Sequence, residues 1–204
     1  MNNNNYNKAI SYFTMAIEIN KKYVDAYDQR GSCYAEKNQT EKALKDYTTE
    51  IALHPSDKAN NSIGMLYERM KNYDKAIVYY AKVIKTNPRY AGAYNNRAAA
   101  LCFKNEYKKA EQDYLSAMKF CEDDESLGIY HYNLGALYLA ERKYQSAIDE
   151  FTNAIYLNSD KGNYLLRAQA YKALNKRKEA KADKIAAKKF KTFKEFTFVN
   201  KPSV

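Results

Sequence analysis

Residues 73–101 read YDKAIVYYAKVIKTNPRYAGAYNNRAAAL. Ala76, Ile77, Tyr80, Val83 and Ile84 stand three and four residues apart, which gathers them on one face of an α-helix. Asn87-Pro88 ends that helix, because proline lacks an amide hydrogen and disfavours helical backbone in the residue before it. Ala93, Tyr94, Arg97, Ala98 and Leu101 then restart the same spacing. The stretch predicts a helix, a short turn and a second helix.

The pattern recurs along the chain. Ala9, Ala43, Ala76, Ala110, Ala147 and Ala180 share one register, at intervals of 34, 33, 34, 37 and 33 residues. Four positions later stand Phe13, Tyr47, Tyr80, Tyr114 and Phe151, and three beyond those Ala16, Glu50, Val83, Ala117, Ala154 and Ala187. The alternate helices carry Gly31, Gly64, Ala98, Gly135 and Ala168, each followed three residues on by Tyr34, Tyr67, Leu101, Tyr138 or Tyr171. Small residues let paired helices approach, and the rings fill the space between one pair and the next.

Over roughly residues 6–190 this periodicity resembles the tetratricopeptide repeat. The resemblance implies an all-α fold, a right-handed superhelical solenoid of helical hairpins. Stacking of neighbours must supply most of the stability, since helices of about 14 residues are marginal alone in water. Most of the 21 tyrosines fall in repeat slots, where they read as core or staple residues. The expected order is a lone helix at 6–19, hairpins at 24–53, 57–86, 90–120, 126–157 and 161–191, and a basic, Phe-containing tail at 192–204. Of the tail rings, Phe190 and Phe193 are expected to fold back on the last hairpin, with Phe196 and Phe198 open. The lone helix either caps the array or continues a longer sequence. Its apolar edge offers a route to a homo-oligomer.

Nothing in the sequence assembles catalytic chemistry. His54 and His131 have no serine or cysteine motif beside them, and no glycine-rich phosphate loop is present. Cys33, Cys102 and Cys121 lack CxxC spacing, which argues against zinc or a disulfide frame and for a cytoplasmic setting. The acidic run Glu122–Glu125 lacks the alternating ligands and turn glycine of a calcium loop and reads as a solvated turn before a helix. No cofactor, no metal and no transmembrane segment is expected.

Function is then expected on a surface. The resemblance implies that the first helices of successive hairpins line a concave groove holding a segment of another protein. The groove positions include an asparagine ladder, Asn61, Asn95, Asn96 and Asn133, whose amides both donate and accept. An apolar wall follows, formed by Phe103, Ile129, Tyr132, Leu139 and Leu165. Where the family clamps acidic chaperone tails with basic residues, this chain has Asp28 and Ser32, or Asn61 and Met65, so that ligand is not expected. The alternative is nucleic-acid or anionic-surface binding. Residues 172–204 hold eleven Lys and Arg against three acids, a net +8 of the chain's +10, with Arg177, Lys181, Lys184 and Lys188 as candidates. The groove positions themselves sum to −1 (Lys58, Arg69 and Lys172 against Asp25, Asp28, Glu36 and Glu68), which disfavours nucleic acid there.

Overall fold

The computed structural model describes residues 3–190, and among these it contains helices and no strands. A single helix, α1 (Asn3–Ile19), precedes five antiparallel hairpins. These are α2 (Val24–Glu36) with α3 (Thr40–Leu53), α4 (Asp57–Arg69) with α5 (Tyr73–Thr86), and α6 (Ala91–Phe103) with α7 (Tyr107–Lys119). The last two are α8 (Asp124–Ala140) with α9 (Tyr144–Leu157), and α10 (Lys161–Ala173) with α11 (Arg177–Ala187). The all-α hairpin fold expected from the periodicity is the fold observed. The chain divides between Arg89 and Tyr90 into two compact units.

The small and large residues of the repeat meet as their spacing requires. A Cβ placed on Gly64 would lie 2.5 Å from Cε1 of Tyr80, and one on Gly135 2.9 Å from Cε1 of Phe151. Tyr80, Tyr114 and Phe151 are fully buried. The first unit gathers Ala43, Tyr47, Ala59, Ile63 and Leu66 into a core, and the second gathers Tyr132, Ala136, Ala147, Ile148, Phe151 and Ala170.

Each hairpin turn contains one residue in the left-handed region: Asn38, Lys71, Asn105, Arg142 and Asn175, with φ between 56° and 60°. The amide of the next residue bonds back to a carbonyl in the first helix, as in Asn72 N–H to Tyr67 O at 2.8 Å and Lys143 N–H to Tyr138 O at 2.8 Å. This six-to-one bond satisfies carbonyls that the helix end leaves open.

Three hairpins carry an electrostatic clasp that the apolar pattern does not announce. Arg30 forks onto Asp46 (2.8 and 2.8 Å), Arg97 onto Asp113 (2.7 and 2.7 Å) and Arg167 onto Asp183 (2.9 and 2.8 Å). Each pair is separated by sixteen residues and joins the two helices of one hairpin. Tyrosine rings flank the guanidinium, Tyr27 and Tyr34 on Arg30, and Tyr164 and Tyr171 on Arg167. Two clasps also reach the preceding helix, from Arg30 to Thr14 at 3.1 Å and from Arg167 to Thr152 at 2.9 Å. The matching positions elsewhere are Ile63 with Tyr79 and Leu134 with Glu150; Glu150 instead meets Nδ1 of His131 at 2.6 Å.

Some element ends differ from the sequence reading. The first helix begins at Asn3 instead of residue 6, and α11 stops at Ala187, short of residue 191. Helix α8 starts at Asp124, two residues before Ser126, because the Asp123 carboxylate accepts the Ser126 amide at 2.7 Å and caps the helix. That bond holds the Asp123 carboxyl below its ordinary range. Phe190 folds back as expected, its ring 5.8 Å from that of Tyr164. Phe193, Phe196, Phe198 and the 192–204 tail lie outside the described residues.

Candidate functional site

In the second unit, the first helices α6, α8 and α10 lie side by side. Their positions outside the packed stripe form one face. On it, Asn133 Nδ2 donates to Asn95 Oδ1 at 2.9 Å, and Asn95 Nδ2 donates to Asn96 Oδ1 at 3.2 Å. Three of the four asparagines of the expected ladder thus bond to one another. Asn133 is 7% exposed, and one of its two amide N–H donors is taken by Asn95. Asn95 and Asn96 are half-buried and form its outer end. Asn61 belongs to the other unit, where its amide lies 3.7 Å from Met65 Sδ.

The apolar wall divides as well. Tyr132 is 5% exposed and packs edge-on against Phe151 with ring centroids 6.0 Å apart, so it is chiefly a core residue. Leu139 is half-buried against the same core, and Phe103 is half-buried at the end of α6. Leu165 is 38% exposed on α10. The face thus offers Leu165, Phe103 and Leu139 as partly open apolar contacts beside a pre-formed amide chain.

A small cleft of about 20 Å³ opens on the same unit, lined by Gly128, Ile129, Tyr132, Asn158, Asp160 and Asn163. Neither Asp160 nor Asn163 figured among the expected site residues. Asp160 caps α10 by accepting the Gly162 amide. Asn163 Nδ2 donates to Asn158 O at 3.0 Å.

The basic candidates Arg177, Lys181 and Lys184 are exposed along one stripe of α11, with exposed Lys188 capping its end, beside the buried stripe of Ala180, Asp183 and Ala187. Lys184 occupies the slot filled by a ring in the other hairpins. In the first unit, α1 exposes Tyr12, Met15 and Ile19, within the stretch 6–19 where an apolar edge is expected. The three cysteines are unbridged, and burial pushes the Cys102 thiol up to about 12. Among the described residues no helix is long and apolar enough to cross a membrane.

Known proteins share these features. Tetratricopeptide repeat profiles match residues 58–90, 79–112 and 129–161. Human tetratricopeptide repeat protein 6 is 32% identical over 152 residues, which is 71% of this chain and 29% of that protein. Anaphase-promoting complex subunit 3 of Schizosaccharomyces pombe is 28% identical over 153 residues, 74% of this chain and 23% of the relative. Hsp70-Hsp90 organizing protein 1 of Glycine max is 34% identical over 84 residues, 41% of this chain and 15% of the relative. The chain thus spans less than a third of the length of these relatives. Among solved structures, BtubC from P. vanneervenii superposes with a TM-score of 0.78 at 15% identity, covering 98% of this chain and 97% of that one. The Cut9-Hcn1 hetero-tetramer of the APC/C gives 0.76 at 18% identity, over 90% of this chain and 37% of its counterpart. Both likenesses concern the fold. Profile matches on either side of the division between the units, on hairpins with this small–large packing, make the chain a member of the tetratricopeptide repeat family.

Proposed function

We propose that this chain is a protein-interaction scaffold without catalysis of its own, which takes a segment of another protein along the α6–α8–α10 face. The observation carrying this reading is the juxtaposition on three adjacent helices of open apolar contacts, Leu165 above all, with the Asn133–Asn95–Asn96 amide chain. Desolvating a leucine side chain on a partner contributes up to about 1.5–3 kcal/mol, and the amides fix the register of the segment. The relatives include a subunit of the anaphase-promoting complex and an Hsp70-Hsp90 organizing protein, whose names describe work with other proteins. A cytoplasmic setting accords with the three unbridged thiols.

The test is affinity capture from native lysate with the full chain, followed by mass spectrometry. Leu165→Lys and Asn96→Ala should each remove a retained protein while leaving the circular-dichroism melt unchanged. The exposed stripe of α11 supports a second reading, binding to an anionic surface. If capture survives both face variants but is lost with Lys181→Glu/Lys184→Glu/Lys188→Glu and at high salt, the stripe is the site and the face is not.

A further inference from the structure

The two edges of the second unit carry opposite charge. Each hairpin reverses at its turn, so the turns after α6, α8 and α10 lie at one edge and the loops joining hairpins lie at the other. Two contacts place the turns side by side. Lys143 Nζ lies 3.6 Å from Glu111 Oε2 on the preceding hairpin, and Lys176 Nζ donates to Gln145 Oε1 at 3.3 Å. Residues 104–109 hold three cations and one acid, 141–145 two and one, and 174–179 three and one, a net +5. All of these cations are exposed. Two of the acids, Glu106 and Glu141, are half-buried and already face Lys109 at 2.7 Å and Lys143 at 2.9 Å. At the other edge, residues 121–126 hold four exposed acids and no cation, and 158–161 one of each, a net −4.

Such a separation turns the cationic edge toward negative potential. The surroundings of the cations select among anions. They stand on and beside three neighbouring turns, so a planar surface meets all three together. Tyr138 and Tyr171 are half-buried, and Lys143 and Lys176 lie over their rings at 5.3 and 5.9 Å, which leaves no open platform for stacking bases. Leu174, 37% exposed at the end of α10, stands among the cations, where its side chain can enter a headgroup layer. Each lysine or arginine held near an anionic headgroup layer strengthens attachment to it.

We propose that the turn edge of the second unit docks on an anionic lipid bilayer, with the acidic edge turned away from it. This goes beyond both the scaffold reading and the α11 stripe, because it assigns lipid headgroups to Lys108, Arg142 and Lys178. Docked on this edge, the unit keeps its α6–α8–α10 face uncovered.

The test is co-sedimentation of the full chain with vesicles of phosphatidylcholine containing about 30% phosphatidylserine, and with phosphatidylcholine alone. The mixed vesicles should retain the chain at about 0.1 M salt and release it at about 0.5 M, and the neutral vesicles should not retain it. Lys108→Gln/Arg142→Gln/Lys178→Gln should weaken binding about fivefold for each cation removed, or about a hundredfold together, with an unchanged circular-dichroism melt. Lys181→Gln/Lys184→Gln/Lys188→Gln removes the same charge from the α11 stripe and should weaken binding about threefold or less. Asn96→Ala should bind vesicles as the parent does, so failure of the scaffold face leaves this result untouched. The proposal is overturned if the mixed vesicles do not retain the chain, if neutral ones retain it equally, or if the turn-edge variant binds unchanged. Equal losses from the two triple variants would reduce the effect to net charge and overturn it as well. Tighter binding to duplex DNA or poly-glutamate than to the vesicles, at equal anionic charge, would replace the bilayer with that polyanion.

Discussion

Replacing Asp113 would expose how much the hairpins depend on their clasps. The Arg97 guanidinium donates two bonds of 2.7 Å to this carboxylate, and the side chains are 23% and 10% exposed. The guanidinium's intrinsically high pKa keeps Arg97 charged when the partner is lost. A fully buried pair broken on one side costs about 3–5 kcal/mol; with a quarter of Arg97 open to water, about 2–3 kcal/mol is expected for Asp113→Tyr. For a chain of this size that lowers the melting temperature by about 5–10 °C. The second hairpin of the first unit holds Ile63 and Tyr79 at the corresponding positions, so the fold tolerates an uncharged pair. Arg97→Ile/Asp113→Tyr should therefore lose about 1 kcal/mol or less, giving a coupling of about 2 kcal/mol or more in the double-mutant cycle. Urea and thermal unfolding followed by far-ultraviolet circular dichroism measure all four proteins. The exposed Lys109–Glu106 pair serves as control, and Glu106→Gln should leave the melt unchanged. Single substitutions that sum to the double one within about 0.5 kcal/mol would refute the clasp as a coupled unit.

Three further predictions follow from packing, turns and burial. Lys71→Gly and Arg142→Gly should each stabilise by about 0.5–1 kcal/mol in urea unfolding, because relief of the positive φ outweighs glycine's entropy. Gly64→Ala should destabilise by about 1–2 kcal/mol against the fully buried Tyr80 ring, whereas Gly92→Ala, facing only the Tyr90 ring at 3.2 Å, should not lower the melt. Burial raises the Glu68 carboxyl, whose Oε2 accepts the Tyr80 hydroxyl at 3.0 Å. Because the folded form holds its proton more tightly, this group's contribution is full below the unfolded value near 4.5 and falls as pH rises through the raised one. Glu68→Gln should accordingly be more stable than the parent at pH 7 and indistinguishable from it at pH 4, read from paired melts.

The fold was legible because its determinants are local and periodic. A small residue at Gly64 and a ring at Tyr80 are bound to meet once both lie on paired helices, and the interval of 33–37 residues repeats that constraint. The clasps were present in the sequence as Arg and Asp sixteen residues apart, but a search for apolar stripes passes over charges. The site was less legible. Spacing placed Asn95 and Asn133 on neighbouring helices yet could not say that they bond to each other, nor that Tyr132 turns its edge to Phe151.

Each clasp is closed within one hairpin. Arg and its Asp travel together on any segment that spans the whole hairpin. Only the bond to Thr14 or Thr152 looks backward, and that group is neutral. Tandem duplication or deletion of such a hairpin therefore leaves no clasp arginine or aspartate without its partner. Arrays built this way can change length by unequal recombination while each intermediate still folds, which gives evolution a graded route to longer or shorter scaffolds.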